Sequence, residues 1–427
     1  MFSRRNFFRL GAAAAAGAAV LKGVPAFAAA EEPALPPSIA ALKSLRDQVR
    51  PITSDERRAR IERARGLMAD NHLDAILLAG GTSLSYFTGM RWGLSERLFA
   101  LVLPVKGEPF YVCPAFEEDR AREQISKGPL AGNPDVRIWQ EDDSPYQRVA
   151  QGLKDRGIAA GAIGMEETVR FVFSDGVAHA APAMKVLSAT PVTAGCRQNK
   201  EAHEVELMRL ACQATWNVYK AVYEALHPGM TQRDAQSLIS AAYGRVGFQG
   251  FASVNVGEYS ASPHGSVTPQ IIRENDIVMI DDGCNVDGYQ SDITRSFVLG
   301  KASDDQKRVF EIVQRAQKAA LAAARPGVQC QAVDAAARKV ITDAGYGPDY
   351  KFFTHRVGHG IGMDGHEWPY LVRGNSLPLA ANMTFSDEPG VYIRGQFGIR
   401  LEDDMHITAD GAELLTPQSP SLEHPFG

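Results

Sequence analysis

The stretch from Met279 to Val298, MIDDGCNVDGYQSDITRSFV, limits what this chain can fold into more than any other. The apolar run Ile277-Val278-Met279-Ile280 leads into it and reads as a buried strand, yet Asp281 and Asp282 follow at once and Asp292 stands beyond a turn. Read as a hairpin that pairs Asn285 with Gly288, the stretch sets Asp281 directly across from Asp292. Opposed residues on one face of an antiparallel pair have Cβ atoms roughly 4.5–5.5 Å apart. Two carboxylates held that close repel one another unless a proton or a cation lies between them.

The same logic returns in residues 384–407, TFSDEPGVYIRGQFGIRLEDDMHI. A hairpin centred on Gly395 places Glu388 opposite Glu402, with Pro389 a candidate bulge. A faint internal repeat links the regions around these hairpins. Residues 228–248, PGMTQRDAQSLISAAYGRVGF, and 326–346, PGVQCQAVDAAARKVITDAGY, align without a gap. Both open on Pro-Gly, run through an Ala-rich helix and close on Gly-Phe or Gly-Tyr. Two similar α/β halves related by a pseudo-twofold axis could turn their acid pairs toward one cleft.

Four converging carboxylates call for positive charge. Hard oxygen donors with one imidazole suit two divalent ions, Mn²⁺ first, with Co²⁺, Zn²⁺ or Fe²⁺ as alternatives. Imidazole candidates lie in HRVGHGIGMDGHE, as His355, His359 and His366. Arg400 lies two residues before Glu402, on the same strand face, where it can orient ligands, hold a substrate carboxylate, or pair with Asp403, Asp404 or another acid. Asp282, Asp287, Asp403 and Asp404 read as turn or solvent acids. Trp216, Tyr219 and Tyr223 have helical spacing and read as core.

A chain of 427 residues is long enough for two domains. Residues 29–195 alternate short strands and helices as an α/β domain, and 196–427 form the second, acid-bearing domain. Residues 1–28 are a separate object, with Arg4-Arg5, an Ala-rich run and Ala26-Phe27-Ala28 before a cleavage point. They resemble a twin-arginine signal, and the expected location is periplasmic or extracellular, with no membrane attachment after cleavage. A formal charge of −5 and the lack of a long basic stripe exclude nucleic acid as a partner. Five dispersed cysteines make neither a disulfide framework nor a zinc site and read as buried apolar residues.

His264, the acids of DDG and SDITR, GHGIG, HE, EPG and IRLED occur together and in order. This set resembles the pita-bread metallopeptidases, in their Xaa-Pro aminopeptidase and Xaa-Pro dipeptidase branch. SYFTG at Ser85 to Gly89 resembles that family's creatinase-type N-terminal domain. The resemblance implies an α/β (α+β) fold, with a creatinase-type N-terminal α/β domain followed by a pseudo-twofold pita-bread catalytic domain. It makes Asp281 a ligand of one metal, Asp292 and Glu402 bridging ligands, and His359 and Glu388 ligands of the other. It implies removal of an N-terminal residue that precedes proline, as an Xaa-Pro aminopeptidase, with the dipeptidase (prolidase) reaction as the alternative.

In that reaction two metals activate a bridging hydroxide, Glu388 receives its proton, and His264 hydrogen-bonds the oxyanion. His366 or His264 protonates the leaving nitrogen, and His264, His355, His366 and Arg400 contact the peptide. A homodimer or homotetramer is also implied. Competing readings are a non-peptidase lyase or amidinohydrolase of the same fold, and an inactive binding module. The lyase branch carries an extra acid where this chain has Gly283, and no ligand position is substituted here.

Overall fold

A computed structural model describes residues 34–427. The signal-type segment of residues 1–28 lies outside the described residues, and Pro37–Gly427 form one compact unit. Among the described residues no helix is long and apolar enough to cross a membrane.

The first half is built on a mixed six-stranded sheet. Its order is Asp135–Trp139, Phe110–Pro114, Ala100–Pro104, Ala75–Ala79, Gly161–Met165 and Met184–Ser188. The central strands are fully buried, so both faces must be covered. Period-two alternation divides them between two cores. Ile76, Leu78, Leu101, Leu103 and Tyr111 face the helices Ser54–Asp70, Thr82–Thr88 and Thr190–Arg197. Leu77, Val102, Phe110 and Val112 face the helices Pro145–Lys154 and Phe171–Ala180. The segment before this sheet belongs elsewhere, because Ile39, Leu45 and Ile52 pack into the core of the second half, among Leu207, Val218 and Ile239.

The internal repeat appears as two helix pairs, Ala202–Tyr223 with Gln232–Val246 and Asp304–Ala323 with Cys330–Asp343. Corresponding glycines adopt matching left-handed conformations, with φ of 95° at Gly229 and 85° at Gly327, and 90° at both Gly247 and Gly345. The residues preceding the second helix of each pair, Thr231 and Gln329, also form corresponding isolated bridges, to Ile271 and Pro378. Each helix pair covers strands. Ile277–Asp281 lies between Ser253–Val256 and Arg295–Val298. A five-stranded sheet runs Glu367–Leu371, Gly358–Gly360, Thr384–Asp387, Asp403–Ile407, Ala412–Leu414.

Two expectations about pairing meet different outcomes. In the second hairpin Asp387 pairs with Asp403 and Gly390 with Arg400, so the ladder register on both sides sets Glu388 opposite Glu402, as expected from the sequence. In the first, Val286 pairs with Tyr289 and Asn285 with Gln290, not Gly288. The reason is a tight turn on Asp287-Gly288, with φ of 50° and 99°, the backbone signature of a two-residue hairpin loop. The ladder slips by two residues, Ile293 N–H donates to Asp282 O (3.1 Å), and the residue across from Asp281 is Thr294 rather than Asp292.

Candidate metal centre

A slip of two keeps every side chain on its own face, so Asp281 and Asp292 still converge. Asp281 ends its strand, and at Asp282 (φ 111°) the backbone departs from extended geometry. Asp292 precedes the strand Arg295–Val298, its N–H donating to Asp404 Oδ2 at 3.2 Å. Glu388 and Glu402 leave the break between the five-stranded sheet and the hairpin Gly390–Ile393 with Phe397–Arg400. His359 comes from the short strand Gly358–Gly360.

Three interlocking groups of metal-ligand type result: Asp281, Asp292, Glu402; His359, Glu388, Glu402; and Asp292, His359, His366. Within each, one ligand atom per residue lies within 4.8 Å of the others. Glu402 is common to the first two. His359 and Glu402 are each only 2% exposed, which leaves little water to neutralise the cluster. With Nδ1 donating to Gly360 O (3.1 Å), His359 turns Nε2 toward Glu388 Oε1 (3.3 Å) and Asp292 Oδ2 (3.8 Å). That tautomer is the one a metal-binding imidazole needs.

The acids carry the electrostatic signature of a cation-binding site. Burial and the charges of neighbouring carboxylates push Asp292 and Glu402 well above the usual range. Burial, opposed by Arg400 and reinforced by Asp281, raises Glu388 to about 7. Asp281 departs the other way: burial works against its charge, but the Arg400 guanidinium and hydrogen bonds from neighbours outweigh it and hold the group below its ordinary value. Burial depresses His359 to about 3, leaving it neutral and able to donate its lone pair. An oxygen-rich donor set with one neutral imidazole fits one or two divalent ions.

All nine residues singled out in the sequence line one cavity of about 590 Å³: Asp281, Asp292, His359, Glu388, Glu402, His264, His355, His366 and Arg400. Their surroundings differ. His264 is exposed at the rim. His366 stacks on His359, ring centroids 3.7 Å apart, and its Nδ1 lies 3.3 Å from Arg356 Nη2. His355 has both ring nitrogens engaged, Nδ1 with Arg356 O (2.8 Å) and Nε2 with the Tyr392 hydroxyl (2.7 Å), and burial lowers it to about 3.

Arg400 orients a ligand position and forms a buried ion pair, two of the roles open to it from the sequence. It pairs with neither Asp403 nor Asp404 but with Asp281, while donating to Thr294 Oγ1 (3.0 Å), Tyr392 Oη (3.0 Å) and Pro263 O (3.1 Å). Its fork is thus spent mostly inside the protein, orienting a candidate ligand. Asp403 and Asp404 are not solvent acids. Both are fully buried, Asp403 against Arg295 (2.6 Å) and Asp404 accepting from Cys212 Sγ (3.1 Å). The strand Asp403–Ile407 is covered on both faces, so its acids have no solvent side to occupy. The reading of the cysteines holds: all five are buried and unbridged. Tyr219 is core, and Trp216 and Tyr223 are half-buried.

Sequence reasoning passed over two supporting groups. Thr294 Oγ1 stands between Asp281 Oδ1 (2.5 Å) and Glu402 Oε2 (2.6 Å), and with one proton to give it donates to one of them at a time. Its spacing of two from Asp292 was a usable signal. Ser386 Oγ accepts from His359 N–H (3.0 Å) and donates to Glu388 Oε1 (3.3 Å), again two residues from a ligand position.

Known proteins resemble this chain along most of its length. Residues 206–409 match the metallopeptidase family M24, and residues 60–198 match the creatinase/prolidase N-terminal domain. A probable dipeptidase PepE of Mycobacterium tuberculosis is 37% identical over 361 residues, 83% of this chain and 92% of that protein. An Xaa-Pro dipeptidase of Lactobacillus delbrueckii subsp. lactis is 31% identical over 371 residues, 85% and 98% of the two chains. The crystal structure of dipeptidase PepE from Mycobacterium ulcerans superposes with a TM-score of 0.81 at 36% identity, covering 88% of this chain and 99% of that one. The two-part fold is accordingly a creatinase-type N-terminal domain followed by a pita-bread domain, and the chain belongs to metallopeptidase family M24.

Proposed function

We propose that the chain is a metal-dependent peptidase that hydrolyses the Xaa-Pro bond of short peptides, dipeptides first. The observation that carries this reading is the convergence of five metal-ligand side chains in one cavity, in a chain whose relatives are named dipeptidases. Asp281, Asp292 and Glu402 are the proposed holders of one divalent ion, and His359 and Glu388, with Asp292 and Glu402 shared, of a second, Mn²⁺ foremost. When bound, such ions polarise a carbonyl and lower the pKa of a water from about 15.7 toward about 7.

The chain's own groups supply the rest. Glu388, beside the proposed ions, is the proposed group to take a proton from the attacking water. His264 at the rim is placed to hydrogen-bond the carbonyl oxygen as charge develops there. The departing proline nitrogen has no N–H and must gain a proton, for which His366 is the proposed donor. Arg400 fixes Asp281, and the proposed role of His355 narrows to shaping the wall beside Glu388. Arg356 lines the cavity over the Tyr370 ring (4.0 Å) and pairs with no carboxylate among the described residues, so it can receive the terminal carboxylate of a dipeptide.

Xaa-Pro aminopeptidase activity is the second reading. Past Pro263, His264 and His355 lies a groove of about 700 Å³, lined also by Glu258, Tyr259 and Arg394, which could accept residues beyond proline. Protein stripped with a chelator and reloaded with Mn²⁺ should hydrolyse Ala-Pro only when loaded. The ratio of kcat/KM for Ala-Pro and Ala-Pro-Ala separates the two readings. Hydrolysis that survives complete chelation would sink both. The proposal extends to a homodimer or homotetramer, and to export with residues 1–28 removed, which the N-terminal sequence of the secreted protein checks.

A further inference from the structure

The loop that presents His366 joins the adjacent strands Gly358–Gly360 and Glu367–Leu371, and side chains from the first domain and its junction with the second grip it. Arg197 is the last residue of the helix Thr190–Arg197. Its Nη2 pairs with Asp364 Oδ2 at 2.5 Å and also with Glu367, so one guanidinium grips acids on both sides of His366. Lys200 Nζ takes the other oxygen of Glu367 at 2.6 Å, and Thr82 Oγ1 donates to the second oxygen of Asp364 at 2.6 Å. Trp368 Nε1 reaches Glu167 at 3.1 Å. The metal-bearing half anchors the two ends of the loop, pairing Gly360 with Glu367 and bonding Ile361 to Thr384, and Gln290 N–H donates to Gly362 O (2.7 Å). His366 meanwhile has no anchor of its own beyond the stack on His359 and the contact with Arg356.

The clasp is tight. Arg197, Glu367 and Lys200 side chains are 11%, 7% and 2% exposed. A Cβ on Gly362 would come within 2.6 Å of Glu367 Oε1 and 2.9 Å of Lys200 Cε, so any side chain there would push the clasp apart. Two cations face two acids, and the partners are not equivalent. Without Arg197, Glu367 would keep Lys200, while Asp364, 38% exposed, would turn to water. The loss would therefore loosen the loop without stranding a buried charge. A cavity of about 280 Å³ lies behind the clasp, and His366 borders both it and the metal cavity, so the ring has room to swing away.

We propose that Arg197 is a positioning residue, which by gripping Asp364 and Glu367 holds His366 against His359, so that the junction between the two domains sets the geometry of the reaction. The inference rests on the proposed peptidase reading for its effect on rate, but not for its effect on His366. The test uses the full chain loaded with Mn²⁺, as wild type, Arg197→Met, Arg197→Lys and Asp364→Asn. Two readouts are taken: kcat and KM on Ala-Pro, and the rate at which diethyl pyrocarbonate modifies His366, read by peptide mass spectrometry with His264 as internal control.

In Arg197→Met, kcat should fall about tenfold or more while KM changes less, with metal content per chain unchanged. His366 should be modified several-fold faster relative to His264. Arg197→Lys, which can grip one acid but not both, should lie between. If Arg197→Met does not fold, Asp364→Asn must show the same changes in smaller degree. A folded variant whose His366 is modified at the wild-type rate overturns the proposal. Wild-type protein that cleaves no Xaa-Pro peptide overturns the peptidase reading instead, and the labelling still decides the role of Arg197.

Discussion

Glu388, Asp292 and Glu402 sit where a proton or a cation must answer their mutual repulsion, and this makes a linkage that can be measured. Burial raises Glu388 from an ordinary value of 4.5 to about 7, and raises Asp292 and Glu402 well above theirs. A carboxyl whose folded value lies above its unfolded one stabilises the fold below the unfolded value and loses that contribution as pH rises through the folded value. Above about pH 6.5, where the depressed His355 and His359 no longer oppose the trend, metal-free protein should therefore melt at a falling temperature up to about pH 7.5. Mn²⁺ should raise the midpoint more at the upper end, where no proton competes for the oxygens. Equal gains at both pH values would show that protons and metal do not share these groups. At this scale the sequence was informative because strand alternation survives error. The expected facing of Asp281 and Asp292 was off by two places, and an even slip still left both on the cavity. Arg400 was legible as a ligand-orienting or ion-paired residue, but its partner was not, since Asp281 is 119 residues away.

Helix pairs and their caps are where the duplication is written most clearly. Gly247 and Gly345 occupy corresponding places with φ of 90°, a conformation costing an alanine about 1–2 kcal/mol. The surroundings differ. A Cβ on Gly345 meets nothing within 4 Å, whereas one on Gly247 would meet Arg46 Cγ and Ser44 Oγ at 2.8 Å. Gly345→Ala should thus lose about the backbone cost alone, and Gly247→Ala distinctly more, by denaturant unfolding. Equal losses would mean that the segment carrying Ser44 and Arg46 yields freely. The Pro-Gly openings and aromatic closings of the repeat were legible because they mark places where the backbone must do something unusual. The Arg197 clasp was not, because a helix end meeting a loop some 167 to 170 residues away leaves no local pattern.

At the scale of the whole molecule, a fully buried ion pair helps join what the repeat divides. Arg295, from the strand beside Ile277–Asp281, meets Asp403 of the second half, and both side chains are fully buried. Arg295→Met should cost about 3–5 kcal/mol, because it leaves an uncompensated buried charge. The double variant Arg295→Met/Asp403→Leu should recover much of that loss in a denaturation series, and a double variant worse than the single would show that the pair contributes more than mutual neutralisation. The candidate metal ligands straddle the same divide, with Asp281 and Asp292 on one side and His359, Glu388 and Glu402 on the other. Neither half carries a complete donor set, so a gene cut near Gly300 would yield two fragments that each lack a working centre. Divalent ions would then act as the staple between separately made pieces, and recovery of a shared centre would depend on their concentration as much as on that of either fragment.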